Sequence, residues 1–263
     1  MCEILKITAR LTQKLKITMI LAVVFIHLLM VSCKKEQEIL DTGKVSFIFN
    51  HKIGSQELEF DNLKYINASG HKYEIRTLKY FVSNITFLKS DGGKEVYNSP
   101  IYLDAKDSST LKFDNVQIPL GVYKSIGFTF GISDSQNISG SLNTVKEAAM
   151  AWPDGEQGGG YHYMKLEGTY DSLGLGSANK SYNIHTGPTM GIPFDFEVAL
   201  KNSAFTLSHK GLRFEIVMDI NEWFTNPENY DFSDHGHMIM MDVNAQMKLR
   251  ANGSSVFSML VID

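Results

Sequence analysis

Tyr73-Glu-Ile-Arg-Thr-Leu-Lys-Tyr-Phe-Val-Ser-Asn-Ile-Thr-Phe-Leu88 is a long β-rich run on which the reading of the fold turns. Its first half alternates apolar and polar residues, the period of a half-buried strand, and its second half is more continuously apolar. Successive strand side chains point to opposite faces, so the run predicts burial of Tyr73, Ile75, Leu78, Phe81, Ile85 and Phe87, with a bulge or a change of sheet between Leu78 and Phe81.

Outward from this run the same signal repeats. Asp91-Gly-Gly93 turns it into a strand over Glu95 to Leu103. Upstream, Val45 to Phe49 alternates, with Leu58 to Phe60 as its expected hairpin partner. Downstream come Gly121 to Ile132, Tyr161 to Tyr170, Tyr182 to Ile184, Phe194 to Leu200, Ala204 to Leu207 and Leu212 to Ile220. Short strands punctuated by Gly, Asn and Asp predict an all-β fold, a single antiparallel β-sandwich with one or two short helices. One helix is expected over Thr144 to Ala151, and a helical turn over Asn221 to Phe224. His237 to Arg250 fits either period. With no repeat and no second composition regime, residues 44–263 read as one domain.

Positions 1–32 read as an export signal rather than as part of the fold. Lys6, Arg10, Lys14 and Lys16 form a basic head, and Ile17 to Val31 is apolar except for Thr18 and His27. That run falls short of the roughly 20 residues needed to span a bilayer. Ser32-Cys33 closes it in the pattern of a lipobox, so Cys33 is the expected acylated N-terminus, palmitate included. Residues 33–43 then form a charged tether to a domain held at the outer membrane. Cys2 leaves with the signal and Cys33 carries lipid, so no thiol remains for a disulfide, a thiolate metal site or a nucleophile. The whole chain has 25 basic and 29 acidic residues; without the four basic and one acidic residues of positions 1–32 the balance is 21 to 28, a net −7. That charge excludes a nucleic-acid footprint.

The segment with most chemical content is Met150-Ala-Trp-Pro-Asp-Gly-Glu-Gln-Gly-Gly-Gly-Tyr-His-Tyr-Met-Lys-Leu-Glu-Gly168. Pro153 ends a helix at Trp152, so the indole sits beside a glycine cluster, Gly158 to Gly160, and a strand follows. Without cysteine, a metal site must use His, Met, carboxylates or a modified aromatic. His51 ends the first strand before a glycine turn; taken alone it reads first as a surface histidine. His185, before Gly187-Pro188, reads equally as a ligand or a structural residue. His162 alternates with Tyr161 and Tyr163, so if those rings are core, His162 faces solvent. His235-Gly-His237 lies near Met238, Met240 and Met241, a soft-metal composition that reads first as a loop before an apolar element. Catalytic arrangements are weak. There is no Gly-x-Ser-x-Gly elbow, and Gly158-Gly-Gly160 precedes a strand rather than a helix that could cradle phosphate. The chain is not read as an enzyme.

Several motifs in order, Phe47-x-Phe49-x-His51, Tyr80-Phe-Val-Ser-Asn-Ile85, Ala149-Met-Ala-Trp152, Gly160-Tyr161-x-x-Met164-Lys-Leu-Glu-Gly168 and His185-x-Gly187, resemble the MbnP-like family of secreted and lipid-anchored proteins. The resemblance implies a copper site in which two histidines and a tryptophan oxidised to kynurenine hold Cu(I). A dihaem enzyme similar to MauG is the partner that performs the oxidation. Carried over by motif, His51 and His185 are the expected ligands and Trp152 the expected modified residue, and the implied role is copper handling. The competing reading is a non-catalytic surface module for glycan, peptide or protein, which would rely on exposed aromatics such as Tyr161, Tyr163 and Trp223.

Overall fold

A computed structural model describes residues 41–235 and 237–262. The signal, Cys33 and most of the tether lie outside them. Fourteen strands are formed among the described residues: β1 (Thr42–Ile53), β2 (Gln56–Glu57), β3 (Tyr65–Ile66), β4 (Lys72–Lys89), β5 (Lys94–Tyr97), β6 (Ile101–Asp104), β7 (Lys112–Pro119), β8 (Gly121–Phe130), β9 (Met164–Asp171), β10 (Lys180–Thr186), β11 (Phe196–Ala199), β12 (Phe205–Leu207), β13 (Leu212–Asp219) and β14 (Phe257–Ile262). Two short α-helices accompany them, α1 (Val145–Ala148) and α2 (Val243–Asn252). A smaller sheet runs β14-β13-β1-β2, with β7 also on β1. A larger one runs β10-β9-β4-β8-β11, with β12 on β8 and β3, β5 and β6 on β4.

The two sheets face each other across an aromatic core. Phe47 of β1 lies 6.1 Å from Phe87 of β4 and 5.8 Å from Phe214 of β13, ring centre to ring centre. Tyr80 stacks on Phe130 at 5.9 Å, and Phe130 meets Trp223 at 5.0 Å. This is the expected all-β sandwich, with one departure from a purely antiparallel ladder: β1 and β13 run parallel. The first strand also starts earlier than the alternation suggests, because Thr42 and Gly43 already pair with Pro119 and Ile118. The partner expected at Leu58 to Phe60 is instead β2, two residues earlier, against Lys52 and Ile53.

β4 is the central strand, and every residue expected to be buried along it is buried. The changes of face occur elsewhere than expected. Its register slips against β9 between Ile75 and Thr77, and against β8 between Ser83 and Thr86, where Asn84 takes a left-handed φ of 50°. Each slip adds one residue and reverses which parity faces the core. Tyr73 and Ile75 therefore point inward, then Leu78, Tyr80 and Val82, then Ile85 and Phe87. Phe81 is buried on the opposite face, against Tyr102 at 5.7 Å and Tyr161 at 6.2 Å.

That second face is covered because the chain between β8 and β9 folds back over it. Thr144 starts α1 with a capping box: its hydroxyl accepts from the Glu147 N–H while the Glu147 carboxylate accepts from the Thr144 N–H. The ambiguous stretch from His237 to Arg250 resolves into a loop and α2, whose first turn is capped by the Asp242 carboxylate.

Candidate metal centre

β10 fixes the position of His185. In the ladder β4-β9-β10, Lys79, Lys165 and His185 are direct neighbours, and so are Tyr80, Met164 and Thr186. Neighbours in register share a face. Tyr80 packs on Phe130 in the core, so Thr186 points inward and His185 points to the outer face of the larger sheet.

The returning chain brings two more rings to that face. Ala151 and Tyr161 form an antiparallel bridge, the Trp152 N–H donates to the Gly160 carbonyl at 2.8 Å, and the His162 N–H donates to the Met150 carbonyl at 2.7 Å. The loop between these short arms closes through Gly158, Gly159 and Gly160, with φ of 104°, 72° and 81°. A side chain at Gly160 would land on Asn137, and one at Gly158 on the Pro188 carbonyl. The glycine cluster is thus a tight fold, as left-handed backbone in close quarters requires. It holds Trp152 buried, with the indole N–H donating to the Gln157 carbonyl at 2.8 Å. The indole lies flat over Gly187, where any Cβ would overlap the ring.

His162 lies between Trp152 and His185. Its ring centre is 4.7 Å from the indole and 4.9 Å from the His185 ring, both edge-on. It is 4% exposed, not solvent-facing as the alternation with Tyr161 and Tyr163 predicts. That expectation assumes a sheet covered on one face only, and here the returning loop covers the other face. Its amphipathic clue was present in sequence: Met150-Ala-Trp152 and Tyr161-His-Tyr163, separated by a glycine turn, form the two arms of one apolar hairpin.

The surroundings fix which nitrogens carry lone pairs. Burial, then the nearby Lys165 ammonium, push His162 down to about 3, so the ring is neutral near pH 7. Its Nδ1 lies 3.0 Å from the Met150 carbonyl, which only accepts; Nδ1 therefore holds the proton and Nε2 the lone pair. His185 Nε2 lies 2.7 Å from the Glu167 carboxylate, and that bond holds Glu167 at about 2. Glu167 is therefore an acceptor, and a neutral His185 presents its lone pair at Nδ1. Lys165 is lowered by desolvation and donates to the Ala149 carbonyl at 2.8 Å. Two adjacent imidazoles, each oriented by an outer acceptor, are the arrangement that metal-binding histidines use.

The structure does not bring His51 into this group. His51 follows Phe47 and Phe49 on the inward face of β1, and its Nε2 lies 3.1 Å from the Tyr80 hydroxyl. Tyr80 is on the core face of the larger sheet and His185 on the outer face, so the sheet itself separates the two histidines. His51 is pushed down to about 4 by burial. Three other histidines have carboxylate partners: His71 pairs with Asp231 and His209 with Asp41, at 3.0 Å each. His235 reaches Asp242 at 3.0 Å and stacks on Tyr230. Among the described residues, no group of three or more His, Cys, Asp or Glu side chains is placed to hold a metal ion. The residues present therefore fit a soft monovalent ion held by two nitrogens, and do not fit a cage for a hard cation.

The MbnP family model matches the chain over residues 42–242. The fold is similar to that of MbnP from Methylosinus trichosporium, with a TM-score of 0.55 at 15% identity over 85% of this chain and 100% of that one. No curated protein matches the chain.

Proposed function

Because the chain belongs to the MbnP family, we propose that it binds Cu(I) through His162 and His185 beside Trp152, and that it handles copper rather than catalysing a reaction. The observation that carries this reading is the pair of imidazoles with ring centres 4.9 Å apart, one anchored through Nδ1 to Met150 and the other through Nε2 to Glu167. Small rotations of the two rings would bring Nε2 of His162 and Nδ1 of His185 to one ion. Cu(I) bound there would supply a soft, stored electrophile for transfer. The protein's own part is to keep His162 neutral and to orient both rings, one through Met150 and the other through Glu167. On the same reading, acylated Cys33 holds the domain at the outer membrane, and Trp152 is the residue that a MauG-like dihaem partner would oxidise. The indole is enclosed by the glycine turn, so such a partner must first open residues 153–160.

The competing surface-module reading loses its support, since Tyr161, Tyr163 and Trp223 are all buried. Anaerobic Cu(I) titration against a competing chelator tests the proposal. His162→Ala and His185→Ala should each weaken binding at least tenfold, about 1.4 kcal/mol, while His51→Gln leaves it unchanged. Tenfold loss in His51→Gln with wild-type affinity in His162→Ala would overturn the pairing of His162 with His185. An intact mass of the peptide containing Trp152 tests the oxidation separately.

A further inference from the structure

The smaller sheet ends at β14, Phe257-Ser-Met-Leu-Val-Ile262, which pairs antiparallel with β13 on one side and, among the described residues, with no strand on the other. A bare edge is a template for another strand, so edges are commonly blunted by charge, proline, a bulge or brevity. Edges elsewhere in the molecule follow that rule. β2 has two residues, β11 carries Glu197, and β10 opens with Lys180 and is covered at Asn183, whose N–H donates to the His237 carbonyl at 3.1 Å. β14 has none of these devices: it holds no charge and no proline, and its register with β13 runs without a slip from Phe257 to Ile262. Leu260 is 58% exposed and Val261 50%.

The ladder shows which backbone groups face the open edge. The Asp219 N–H donates to the Val256 carbonyl at 2.9 Å, so Asp219 and Val256 form a hydrogen-bonded pair just before the strand. Hydrogen-bonded and non-hydrogen-bonded pairs alternate along an antiparallel ladder. Ser258, Leu260 and Ile262 therefore turn their N–H and C=O groups toward Val217, Glu215 and Arg213, whereas Phe257, Met259 and Val261 turn theirs to the open edge. The side chains of these last three lie on the core face, in register with buried Met218, Ile216 and Phe214. Phe257 is covered there by Phe128, ring centres 5.1 Å apart, yet Val261 beside Phe214 is half exposed. Cover over the core face thus runs out before the strand does.

We propose that the open edge of β14 is a dimer interface, closed by β14 of a second copy running antiparallel about a two-fold axis through Met259. The outward-facing groups are symmetric about that residue, so the strand is complementary to itself. Met259 meets its own counterpart, and Phe257 meets Val261 in both directions, with about two backbone hydrogen bonds per pair. A pairing shifted by two residues leaves one of the three opposite a residue outside the strand. The axis stands perpendicular to the sheet, so core face continues into core face. Val261 of each copy is then covered by Phe257 of the other, and Leu260 lies beside Ser258 on the outer face. No charge is buried by the strand pair. Such a contact uses the same patch on both copies and closes a dimer rather than a fibre. One strand pair is a small interface, so association is expected at micromolar and not nanomolar protein. The inference does not depend on the copper reading, since β14 and His185 lie in different sheets.

The test is sedimentation equilibrium of the full chain in density-matched detergent, with denaturant midpoints to show that each variant is folded. Wild type should sediment as a monomer in equilibrium with a dimer. Val261→Lys puts a charge at a half-exposed position of the pairing and should weaken dimerisation at least tenfold. Met259→Lys and Met259→Glu each set like charges against one another at the axis and should weaken it by a similar factor. Mixed in equal amounts, these two variants should dimerise at least tenfold more tightly than either alone, because opposite charges then face each other. That rescue reads the register itself, which a general loss of stability would not restore. If the Met259 variants do not fold, Val261→Lys decides alone. Wild type that stays monomeric up to its solubility limit, wild-type dimerisation in Val261→Lys, or folded Met259 variants that gain nothing on mixing would overturn the proposal.

Discussion

His51 offers the sharpest quantitative prediction, because its role in the structure is to remain neutral. In the unfolded chain its imidazole titrates near the ordinary value of about 6.5. In the fold, burial lowers it to about 4, with Tyr80 as its hydrogen-bond partner and no carboxylate opposite. Between these values the unfolded chain binds a proton that the folded chain refuses, so stability falls as pH drops. At about pH 5 the folded ring is still neutral, and the cost is about 1.4 kcal/mol per pH unit over about 1.5 units, or about 2 kcal/mol; near pH 7 it is about 0.2 kcal/mol. Below about pH 4 both states bind the proton and the difference levels off at about 3.4 kcal/mol. Glutamine places a polar group near the position of Nε2 and does not titrate. Denaturant unfolding of copper-free wild type and His51→Gln from pH 7.5 to pH 5 should give diverging profiles, with wild type losing about 2 kcal/mol more. His162 pushes wild type the same way, but it is present in both proteins and cancels. Parallel profiles would show that His51 is hydrated or charged in the fold, and would remove the argument that it is a core residue instead of a ligand.

Other consequences follow from named contacts. Gly187→Ala drives a methyl into the indole of Trp152, so it should cost about 1–3 kcal/mol in chemical unfolding and raise the exposure of the tryptophan in fluorescence. Thr144→Ala removes one half of the capping box and should cost about 1 kcal/mol, with no effect on Cu(I) affinity. Glu167→Gln takes the charged acceptor from His185 Nε2 and should weaken Cu(I) binding about tenfold with little change in the unfolding midpoint at pH 7; unchanged affinity would show that His185 needs no orienting partner.

The sandwich was legible because strand alternation reports one buried face, and most strands here obey it. The limits of legibility come from the same rule. On β4 the alternation predicts one change of face near Phe81, whereas two bulges at Arg76 and Asn84 make two changes, and Phe81 is buried by tertiary cover over the outer face. His162 was misread for that reason too: a period-two rule assigns one of two faces to solvent and cannot see a loop returning from β8 to cover it. The motif containing His51 shows the reverse error. Its place at a strand end beside a glycine turn reads first as a surface position, but the parity of Phe47, Phe49 and His51 aims the ring inward. His185 was open between two roles in sequence, and only the ladder register with Lys165 and Lys79 shows which face it occupies.

The charge arrangement around the proposed centre bears on which ion it can hold. His162 is almost wholly buried, and its neutrality reflects how strongly this face penalises charge. A dication bound between two neutral rings would bring two positive charges next to Lys165, which is already lowered by desolvation. Glu167 supplies one negative charge within hydrogen-bond reach of His185. With Lys165 and Glu167 offsetting each other, a monocation leaves one net positive charge and a dication two, and burial penalises the second far more. Two imidazoles without a third nitrogen or carboxylate ligand also leave a dication under-coordinated, while Cu(I) accepts two. The site is therefore expected to prefer Cu(I) over Zn(II) through electrostatics and ligand count together. Glu167→Gln should erode the preference by weakening Cu(I), whereas introducing a carboxylate at Asn183, beside Glu167 on the same face, should raise the relative affinity for Zn(II). Competition titrations of both ions against the same chelator measure the ratio directly, and a ratio unmoved by the added carboxylate would show that charge balance does not set the choice of metal.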